Sequence, residues 1–420
     1  MSAASQTAVA TVWRMESTRL IGGLMRLVRD LSLAEDLAQD ALVAALEQWP
    51  ASGVPDNPGA WLMAAAKHRA IDRLRRNDMA QRKHDELGAE HELQQLLQAP
   101  DGDALDDGVG DDVLRLIFIA CHPVLSGEAR AALTLRLIAG LTTDEIARAF
   151  LQSEPTIAQR IVRAKRSLSA ANVPFELPPA GELAQRLSSV LGVIYLIFNE
   201  GYAATAGDDL MRPQLCDEAL RLGRILAALM PREAEVHGLL ALMEIQASRA
   251  PARVDGHGDP VLLLEQDRAR WDRLLIRRGL AGLKRAEDLG GSLGPYALQA
   301  AIAACHARAR TAADTDWLRI AALYGALTQV LPSPVVELNR AMAVAMAFGP
   351  AAGLAIADAL QDEPSLQSYH LLPSVRADLL ARLGRGTDAA AEFRRAAALT
   401  RNAREQALLL RRAESCGATS

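Results

Sequence analysis

Apolar residues recur at three- and four-residue spacing along almost every long segment of the chain. This spacing places side chains on one face of an α-helix. Alternating β-branched runs, which are typical of strands, are missing, and Ala, Leu, Arg and Glu dominate. Most of these residues favour helix. The pattern therefore predicts an all-α protein.

Prolines, glycines and one acidic stretch divide the helical segments. With 420 residues the chain exceeds the usual size of a single hydrophobic core. Trp49 to Gly59 contains three prolines and two glycines, which should break the helix there. Ten acids and no Lys or Arg lie between Asp85 and Asp112, as in a solvated linker. These features predict a first domain at residues 10–84, an acidic linker at 85–110, a second domain at 111–172 and a C-terminal domain at 180–416.

The C-terminal part contains an internal repeat. "FGPAAGLAIADAL" (348–360) recurs as "LGRGTDAAAEFRRAAAL" (383–399), with Gly349 and Gly384 thirty-five residues apart. That offset is close to the tetratricopeptide period of about 34 residues. The repeat predicts a tetratricopeptide-like α-solenoid, a fold that offers a concave surface to partners.

Charge and cysteine usage exclude several classes of protein. The formal net charge is −5, so bulk positive charge cannot coat nucleic acid, although a local basic helix can still bind it. Four cysteines (Cys121, Cys216, Cys305, Cys416) form no CxxC pair, which argues against a zinc knuckle or a disulfide framework. The N-terminus has no secretion signal pattern, and the apolar run at 190–198 is too short to span a membrane. We expect a cytoplasmic protein without a membrane partner.

The stretch "LTTDEIARAFLQSEPTIAQRIVRAKRSL" (141–168) predicts a helix-turn-helix unit. Thr142 and Glu145 have capping-box spacing, and Ser153 is a suitable N-cap for a second helix after a three-residue turn. Four apolar side chains of the second helix should form its buried stripe: Ile157, Ile161, Ala164 and Leu168. Polar residues on the opposite face, among them Thr156, Gln159, Arg160, Arg163 and Arg166, can read base edges or contact phosphates in the major groove. A merely solvated amphipathic helix remains the alternative.

A second basic helix is predicted in "NPGAWLMAAAKHRAIDRLRRN" (57–77). Trp61, His68, Asp72 and Arg75 should share one face of this helix. An aromatic ring among basic residues suits unstacked single-stranded DNA. The alternative for Trp61 is packing against the preceding helix, next to Trp49. His68 has no partner at a spacing that would hold a metal.

A third helix, "SLAEDLAQDALVAALEQW" (32–49), combines a predicted Ser32–Glu35 capping box with an acidic face. Asp36, Gln39, Asp40, Val43 and Glu47 line that face. An acidic face can be simple solvation, or it can dock a basic partner.

In this order, the three elements resemble the extracytoplasmic-function (ECF) sigma factors of bacterial RNA polymerase over residues 14–170. The resemblance implies a sigma region 2 helical bundle, a sigma region 4 helix-turn-helix, and promoter DNA and core RNA polymerase (β′ clamp and β flap) as partners. It implies polymerase binding by Asp36, Gln39, Asp40 and Val43. It implies contact with the minus-10 element by Trp61, Lys67, His68, Arg69, Asp72, Arg75 and Arg76. It implies contact with the minus-35 element by Thr156, Gln159, Arg160, Arg163, Lys165 and Arg166. The sequence departs from the family pattern at His68, Leu151 and Ala158, so promoter preference does not transfer in detail.

The C-terminal half resembles the extension of the group often called ECF42, through "FNEGY" (198–202), "DGHGDP" (255–260) and "DRARWD" (267–272). The resemblance implies control of activity by this half and a YCII-related DGPF-type protein as a further partner.

Two other classes of function stay open at this point. Asp255, His257 and Asp259 could ligate a metal, although the glycines and proline around them equally suit a tight loop. A tetratricopeptide-type scaffold whose helix-turn-helix binds DNA without polymerase is the other alternative. We expect no catalytic residues, no metal and no cofactor.

Overall fold

The computed structural model describes residues 3–81, 106–150, 152–204, 206–290 and 293–417. Helices make up almost all of its regular structure, so the predicted all-α class is confirmed. The chain forms two compact units, called here the first unit (residues 1–193) and the second unit (residues 194–420). The finer domain boundaries at residues 84, 110, 172 and 180 stay predictions.

The first unit contains seven described helices and the first half of an eighth. They are α1 (Ala3–Val28), α2 (Leu31–Ser52), α3 (Pro58–Gln81), α4 (Asp106–Ala120), α5 (Gly127–Leu137), α6 (Thr143–Ala149), α7 (Glu154–Ala170) and α8 (Ala180–Tyr202). Helices α1, α2 and α3 pack on one another, α4 and α5 pack on α1, and α7 packs on α5 and α6. Leu24, Leu37 and Leu62, from three successive helices, are almost completely buried. Most of the predicted acidic linker, residues 85–105, lies outside the described residues.

Helix α2 differs from the prediction at both ends. Its N-cap is Asp30, whose carboxylate accepts a hydrogen bond from the backbone N–H of Leu33 at 2.7 Å. The predicted Ser32–Glu35 capping box is therefore wrong, because the helix begins before Ser32 and the Glu35 side chain is buried. At the other end the helix continues through Pro50 to Ser52, and the break falls between Gly53 and Asn57.

The second unit is a succession of helices, most of which pack on their neighbours in the chain. Its helices after α8 are α9 (Pro213–Leu229), α10 (Ala234–Ala247), α11 (Arg273–Asp288), α12 (Pro295–Arg308), α13 (Trp317–Val330), α14 (Pro334–Phe348), α15 (Pro350–Ala359), α16 (Leu371–Arg382), α17 (Gly386–Leu399) and α18 (Ala403–Gly417). Gly349 joins α14 to α15 and Gly384 joins α16 to α17, both with positive φ (103° and 75°). These left-handed turns explain the glycines of the sequence repeat. The assignment of this unit as tetratricopeptide-like stays a prediction.

A short clasp joins the beginning of the second unit to its end. Strand β1 (Ala206–Gly207) pairs in parallel with strand β2 (Arg401–Asn402). Asn402 is completely buried, and its side-chain amide donates hydrogen bonds to the backbone oxygens of Ala204 (3.2 Å) and Asp209 (2.9 Å). The segment before α9 is thereby fixed to the segment before α18.

Helix α8 is, among the described residues, the one helix long and apolar enough to cross a membrane by length and composition. Leu187, Val190, Ile197 and Phe198 on this helix are buried within the protein. The core helices of soluble proteins satisfy the same criterion, so this property does not indicate a membrane protein.

Candidate nucleic-acid interface

The predicted helix-turn-helix is formed by α6 and α7. Glu145 accepts a hydrogen bond from the N–H of Thr142 at 2.8 Å, and the Thr142 hydroxyl accepts one from the N–H of Glu145 at 3.1 Å. This reciprocal pair is the predicted capping box. Ser153 caps α7, with its hydroxyl accepting from the N–H of Thr156 at 3.4 Å. Both predicted helix starts are therefore confirmed.

Helix α7 has the predicted division into a buried and an exposed face. Its buried residues are the four predicted ones: Ile157, Ile161, Ala164 and Leu168. Thr156, Gln159, Arg163 and Arg166 are exposed. Thr156, Gln159 and Arg163 also border a groove of about 350 Å³ that is shared with residues 124–129 at the start of α5. This exposed face can present donors and acceptors to an external ligand.

Two of the predicted minus-35 residues face the protein instead. Arg160 forms an ion pair with Glu128 at 2.7 Å, and its side chain is half-buried. Lys165 forms an ion pair with Glu35 of α2, with only 15% of its side chain exposed. Helix periodicity placed both on the polar side, but each lies at the edge of the stripe and within reach of a neighbouring acid. In this conformation both side chains are engaged in ion pairs within the protein, and their contact with the minus-35 element stays a prediction.

Glu35 is the centre of a buried charge cluster between α2 and the helix-turn-helix domain. Its Oε1 lies 2.7 Å from Arg136 Nε of α5 and accepts a hydrogen bond from Gln39 at 3.0 Å, while Lys165 of α7 approaches Oε2. Burial by itself raises the pKa of Glu35, but the charges and hydrogen bonds of Lys165 and Arg136 outweigh it and hold the pKa below its usual value. Glu35 is therefore a buried carboxylate with two cations.

Two further contacts join the same parts of the first unit. The Thr18 hydroxyl of α1 donates to the backbone oxygen of Ile138 at 3.0 Å, just after α5. Asp112 of α4, which is almost completely buried, forms ion pairs with Arg26 at 2.8 Å and with Arg115 at 2.9 Å. Together with Glu35, these contacts hold the helix-turn-helix domain directly against α1 and α2.

The basic helix α3 is partly used in packing. The rings of Trp61 and Trp49 meet edge to face with centroids 5.3 Å apart, so the packing alternative for Trp61 holds here. Arg69 donates to the backbone oxygen of Asp40 and lies 3.7 Å from its carboxylate. His68 is exposed and Lys67 is half-exposed. The side chains of three further predicted minus-10 residues, Asp72, Arg75 and Arg76, lie outside the described ones.

The predicted polymerase-binding face of α2 lies at the surface. Asp36, Asp40 and Val43 are exposed, and 48% of Val43 is accessible to solvent. Gln39 is half-buried because its amide bonds to Glu35. The face thus combines two carboxylates with one exposed apolar side chain.

The "DGHGDP" segment is a hydrogen-bonded turn. The Asp255 carboxylate accepts from the N–H groups of His257 (2.8 Å) and Asp259 (2.9 Å), which holds the pKa of Asp255 below its usual value. Asp259 pairs with Arg404 at 3.3 Å and with Arg411 at 3.2 Å. No group of three potential metal ligands occurs among the described residues. The acids of this segment therefore serve the turn and its ion pairs.

Comparison with known proteins identifies the family. Residues 12–79 match the sigma-70 region 2 family and residues 115–168 match sigma-70 region 4. These two matches, together with relatives named as ECF sigma factors, support an ECF-type sigma factor. Residues 186–287 match DUF6596, a family of unknown function. No solved structure matches this sigma factor.

Three relatives show how much of the chain each similarity covers. An uncharacterized protein of Rhizobium meliloti (strain 1021) is 44% identical over 93% of this chain and 91% of its own length. The probable ECF RNA polymerase sigma factor SigI of Mycobacterium tuberculosis (strain H37Rv) is 24% identical over 41% of this chain and 58% of its own. The ECF RNA polymerase sigma factor SigK of Mycobacterium sp. (strain KMS) is 28% identical over 37% of this chain and 77% of its own. The relatives named as sigma factors therefore match less than half of this chain, whereas the Rhizobium protein matches nearly all of it.

Sequence reasoning missed the charge cluster of this sigma factor. Glu35 and Arg136 are 101 residues apart, and no local pattern connects them. One feature of the sequence could have indicated the cluster. Glu35 falls between Ala34 and Leu37 on the apolar side of its helix, and a carboxylate buried there needs a partner.

Proposed function

We propose that this sigma factor binds core RNA polymerase, recognises the minus-10 and minus-35 promoter elements and starts transcription. The acidic and apolar face of α2 would dock on the β′ clamp, and the helix-turn-helix domain would meet the β flap. Thr156, Gln159, Arg163 and Arg166 would read the minus-35 element. The observation that carries the proposal is the capped α7 with these four side chains exposed, in a chain that also matches sigma region 2.

The minus-10 contacts fall on α3 in this proposal. His68 and Lys67 are accessible near its middle, and Asp72, Arg75 and Arg76 follow on the same helix. Trp61 would have to leave Trp49 to stack on an unpaired base, since the two rings are in contact. We therefore expect Trp61 to act after docking, when the strands separate.

The conformation described here would have to open on the promoter. The names of the two elements place them about 25 base pairs apart, roughly 85 Å at about 3.4 Å per base pair. Two touching domains of this size, each about 30 Å across, do not span that distance. Contacts at Glu35, Thr18 and Asp112 hold region 2 and the helix-turn-helix domain together. We propose that polymerase binding separates them and releases Lys165 for DNA.

The test of promoter recognition is in vitro transcription with core polymerase over a library of random promoters. On the promoter selected, Arg163→Ala should cost about 1 to 3 kcal/mol of binding free energy, the usual worth of a base-reading arginine. Arg278→Ala, at an exposed position of α11, is the matched control and should bind like wild type. Equal binding by both variants would contradict the assignment of α7. No transcription from any promoter would favour the scaffold alternative.

The opening step has its own test. Glu35→Gln removes the charge that holds Arg136 and Lys165, so less free energy is spent on separation and polymerase association should tighten several-fold. Glu176→Gln, an exposed position in the first unit, is the control. Circular dichroism checks that both variants are folded. A folded Glu35→Gln protein with wild-type affinity would show that the cluster does not oppose binding.

We also propose that the second unit controls activity, with a YCII-related DGPF-type protein as a candidate partner. A chain ending after Ala180 would lose Arg186 and Ser189, which bond to the backbone oxygens of Phe118 (3.0 Å) and Cys121 (2.6 Å). A chain ending after Val193 keeps both. We expect several-fold loss of transcription from each. Full activity of the longer truncation and loss only in the shorter one would assign the effect to those two bonds and contradict control by the second unit.

A further inference from the structure

Two sequence motifs without a role in promoter binding meet around one arginine of the second unit. Tyr202 ends the "FNEGY" motif, and Trp271 belongs to "DRARWD". The guanidinium carbon of Arg249, just after α10, lies 5.7 Å from the centre of the Tyr202 ring and 6.0 Å from that of Trp271. All three residues fall within the match to the family of unknown function. The two motifs, distant in sequence, therefore each place an aromatic ring next to Arg249.

Arg249 is buried without a partner. Only 8% of the residue is exposed, its Nε is completely buried without an acceptor, and no hydrogen bond or ion pair of its side chain occurs among the described residues. Its polar contacts in the chain are limited to the two aromatic rings. Burying an N–H donor without an acceptor is unfavourable on general grounds. The Nε of Arg249 is therefore a buried donor that no described residue satisfies.

Neighbouring side chains add positive charge and unused donors. Arg253 also lies over the Tyr202 ring, with its guanidinium carbon 3.8 Å from the ring centre. Arg268 lies 5.2 Å from the centre of Trp271 and donates to the backbone oxygens of His306 and Ala309. The Nε of Arg268 and the indole N–H of Trp271 are buried and have no acceptor in the described part of the chain. Three buried N–H donors, including Nε of Arg249, thus occur on three side chains in mutual contact.

The chain does not neutralise this cluster itself. Asp314 acts on Arg268 and Glu405 on Arg253 through longer-range charge, but no carboxylate of the described residues forms an ion pair with Arg249, Arg253 or Arg268. Burial and then the charges of Arg249 and Arg268 lower the pKa of His306 to about 4, so this histidine is neutral at pH 7. The local environment is therefore cationic, and its acceptors are backbone oxygens and a hydroxyl rather than carboxylates.

We propose that the second unit contains a binding site for a small oxyanion, a carboxylate or phosphate group, held by the guanidinium of Arg249 and supported by Arg268 and Trp271. The planar fork of arginine matches both groups, and bidentate pairing is the strongest way to satisfy it.

The experiment measures thermal unfolding and binding for the full chain, and it needs no promoter or polymerase. Melting temperature is recorded in sodium phosphate and in sodium acetate at tens of millimolar, each against sodium chloride of equal ionic strength. Equilibrium dialysis with radioactive phosphate gives the stoichiometry. We expect one bound phosphate per chain and a rise in melting temperature of about 2 to 4 °C in at least one of the two salts. The salt that gives the larger rise identifies phosphate or carboxylate as the preferred group.

Three variants assign the effect. Arg249→Met should lose the anion-dependent rise, and Arg249→Lys should keep only part of it because lysine has the charge without the fork. Arg278→Met, at an exposed position of the neighbouring α11, should keep it completely. A wild-type protein without an anion-dependent rise would show that water alone solvates Arg249 and would overturn the proposal. An equal rise in folded Arg249→Met would overturn it as well.

Discussion

Glu35 of the first unit and Arg249 of the second are both buried charged side chains, and their surroundings differ in one respect. In the first unit, Glu35 is 5% exposed and has Arg136, Lys165 and Gln39 as partners. In the second unit, Arg249 is 8% exposed and has two aromatic rings and no acceptor. The protein supplies counter-ions for Glu35, whereas no described residue supplies one for Arg249.

This difference indicates what each charge is for. A buried ion pair adds little net stability over an apolar pair, but breaking it is costly, so it works well as a reversible link between two parts. A buried charge without a counter-ion is costly while it stays alone, so it works well as a receptor. Glu35 suits an internal contact that polymerase must open, and Arg249 suits a site that an external group must fill.

The largest effect is expected at Glu35. Glu35→Gln leaves Arg136 and Lys165 without their acid, and we expect the free energy of unfolding of the first unit to fall by about 3 kcal/mol. Hydrogen exchange of peptides from residues 1–193 in the full chain measures this loss. Glu47→Gln, exposed on the same helix, should change it by less than about 0.5 kcal/mol. Equal protection in the two variants would mean that the cluster is not a significant contact.

The second effect distinguishes the units by pH. The pKa of His306 is lowered from 6.5 to about 4, so the unfolded chain binds a proton in this range and the folded one does not. The second unit should therefore lose stability as the pH falls from 6.5 to 4, because each unit of pKa difference is worth about 1.4 kcal/mol.

In the first unit, the lowered pKa of Glu35 gives stability that is present above 4.5 and lost only as the pH falls below it. Peptide-resolved hydrogen exchange over a pH series separates the two windows. His306→Gln should flatten the curve of the second unit above pH 4.5. If the stability of the second unit still falls with pH in His306→Gln, the loss of stability belongs to another titrating group.

A smaller change in the free energy of unfolding is expected when Arg249 is replaced. In buffer without phosphate or carboxylate, Arg249→Met should change the free energy of unfolding of the second unit by less than about 1 kcal/mol, because the lost cation–π contacts are offset by relief of an unpaired buried charge. Urea unfolding of the two proteins gives the number. A loss near 3 kcal/mol would instead mean that the arginine has an essential internal partner.

The smallest effect is expected at Arg160. Its ion pair with Glu128 is open to water on the acid side, where 67% of the side chain is exposed. Exposed pairs of this kind contribute about 0.2 to 1 kcal/mol. Arg160→Ala should therefore barely move the urea midpoint, in contrast to Glu35→Gln. A drop as large as that of Glu35→Gln would place Arg160 in the same buried network.

Two stretches with the same capping spacing show how far sequence alone can lead. Thr142 and Glu145 form the predicted box, whereas Ser32 and Glu35 do not. The first pair lies at an exposed helix start, where the backbone is the nearest partner. The second acid lies beside Arg136, which is distant in sequence, and Asp30 caps the helix in its place. Local spacing predicts a local bond only when no tertiary partner competes.

The same reasoning explains the outcome at the site. Helical periodicity was sufficient to predict the buried stripe of α7 and the exposure of Gln159 and Arg163. It could not predict that Lys165 would pair with α2 or that Trp61 would meet Trp49, because these contacts depend on how separate helices pack. Arg249 was not singled out, since an arginine near a helix end is ordinarily solvated.

The clasp between β1 and β2 has a consequence for how the second unit comes apart. A row of helical pairs with free ends frays from either end, because each pair contacts only its neighbours. Here buried Asn402 ties the segment before α18 to residues 204 and 209, at the other end of the row. Opening an end therefore first requires exposing a buried amide. We expect the terminal pairs to melt together with the central ones, in a single cooperative transition, and Asn402→Ala to divide that transition into two.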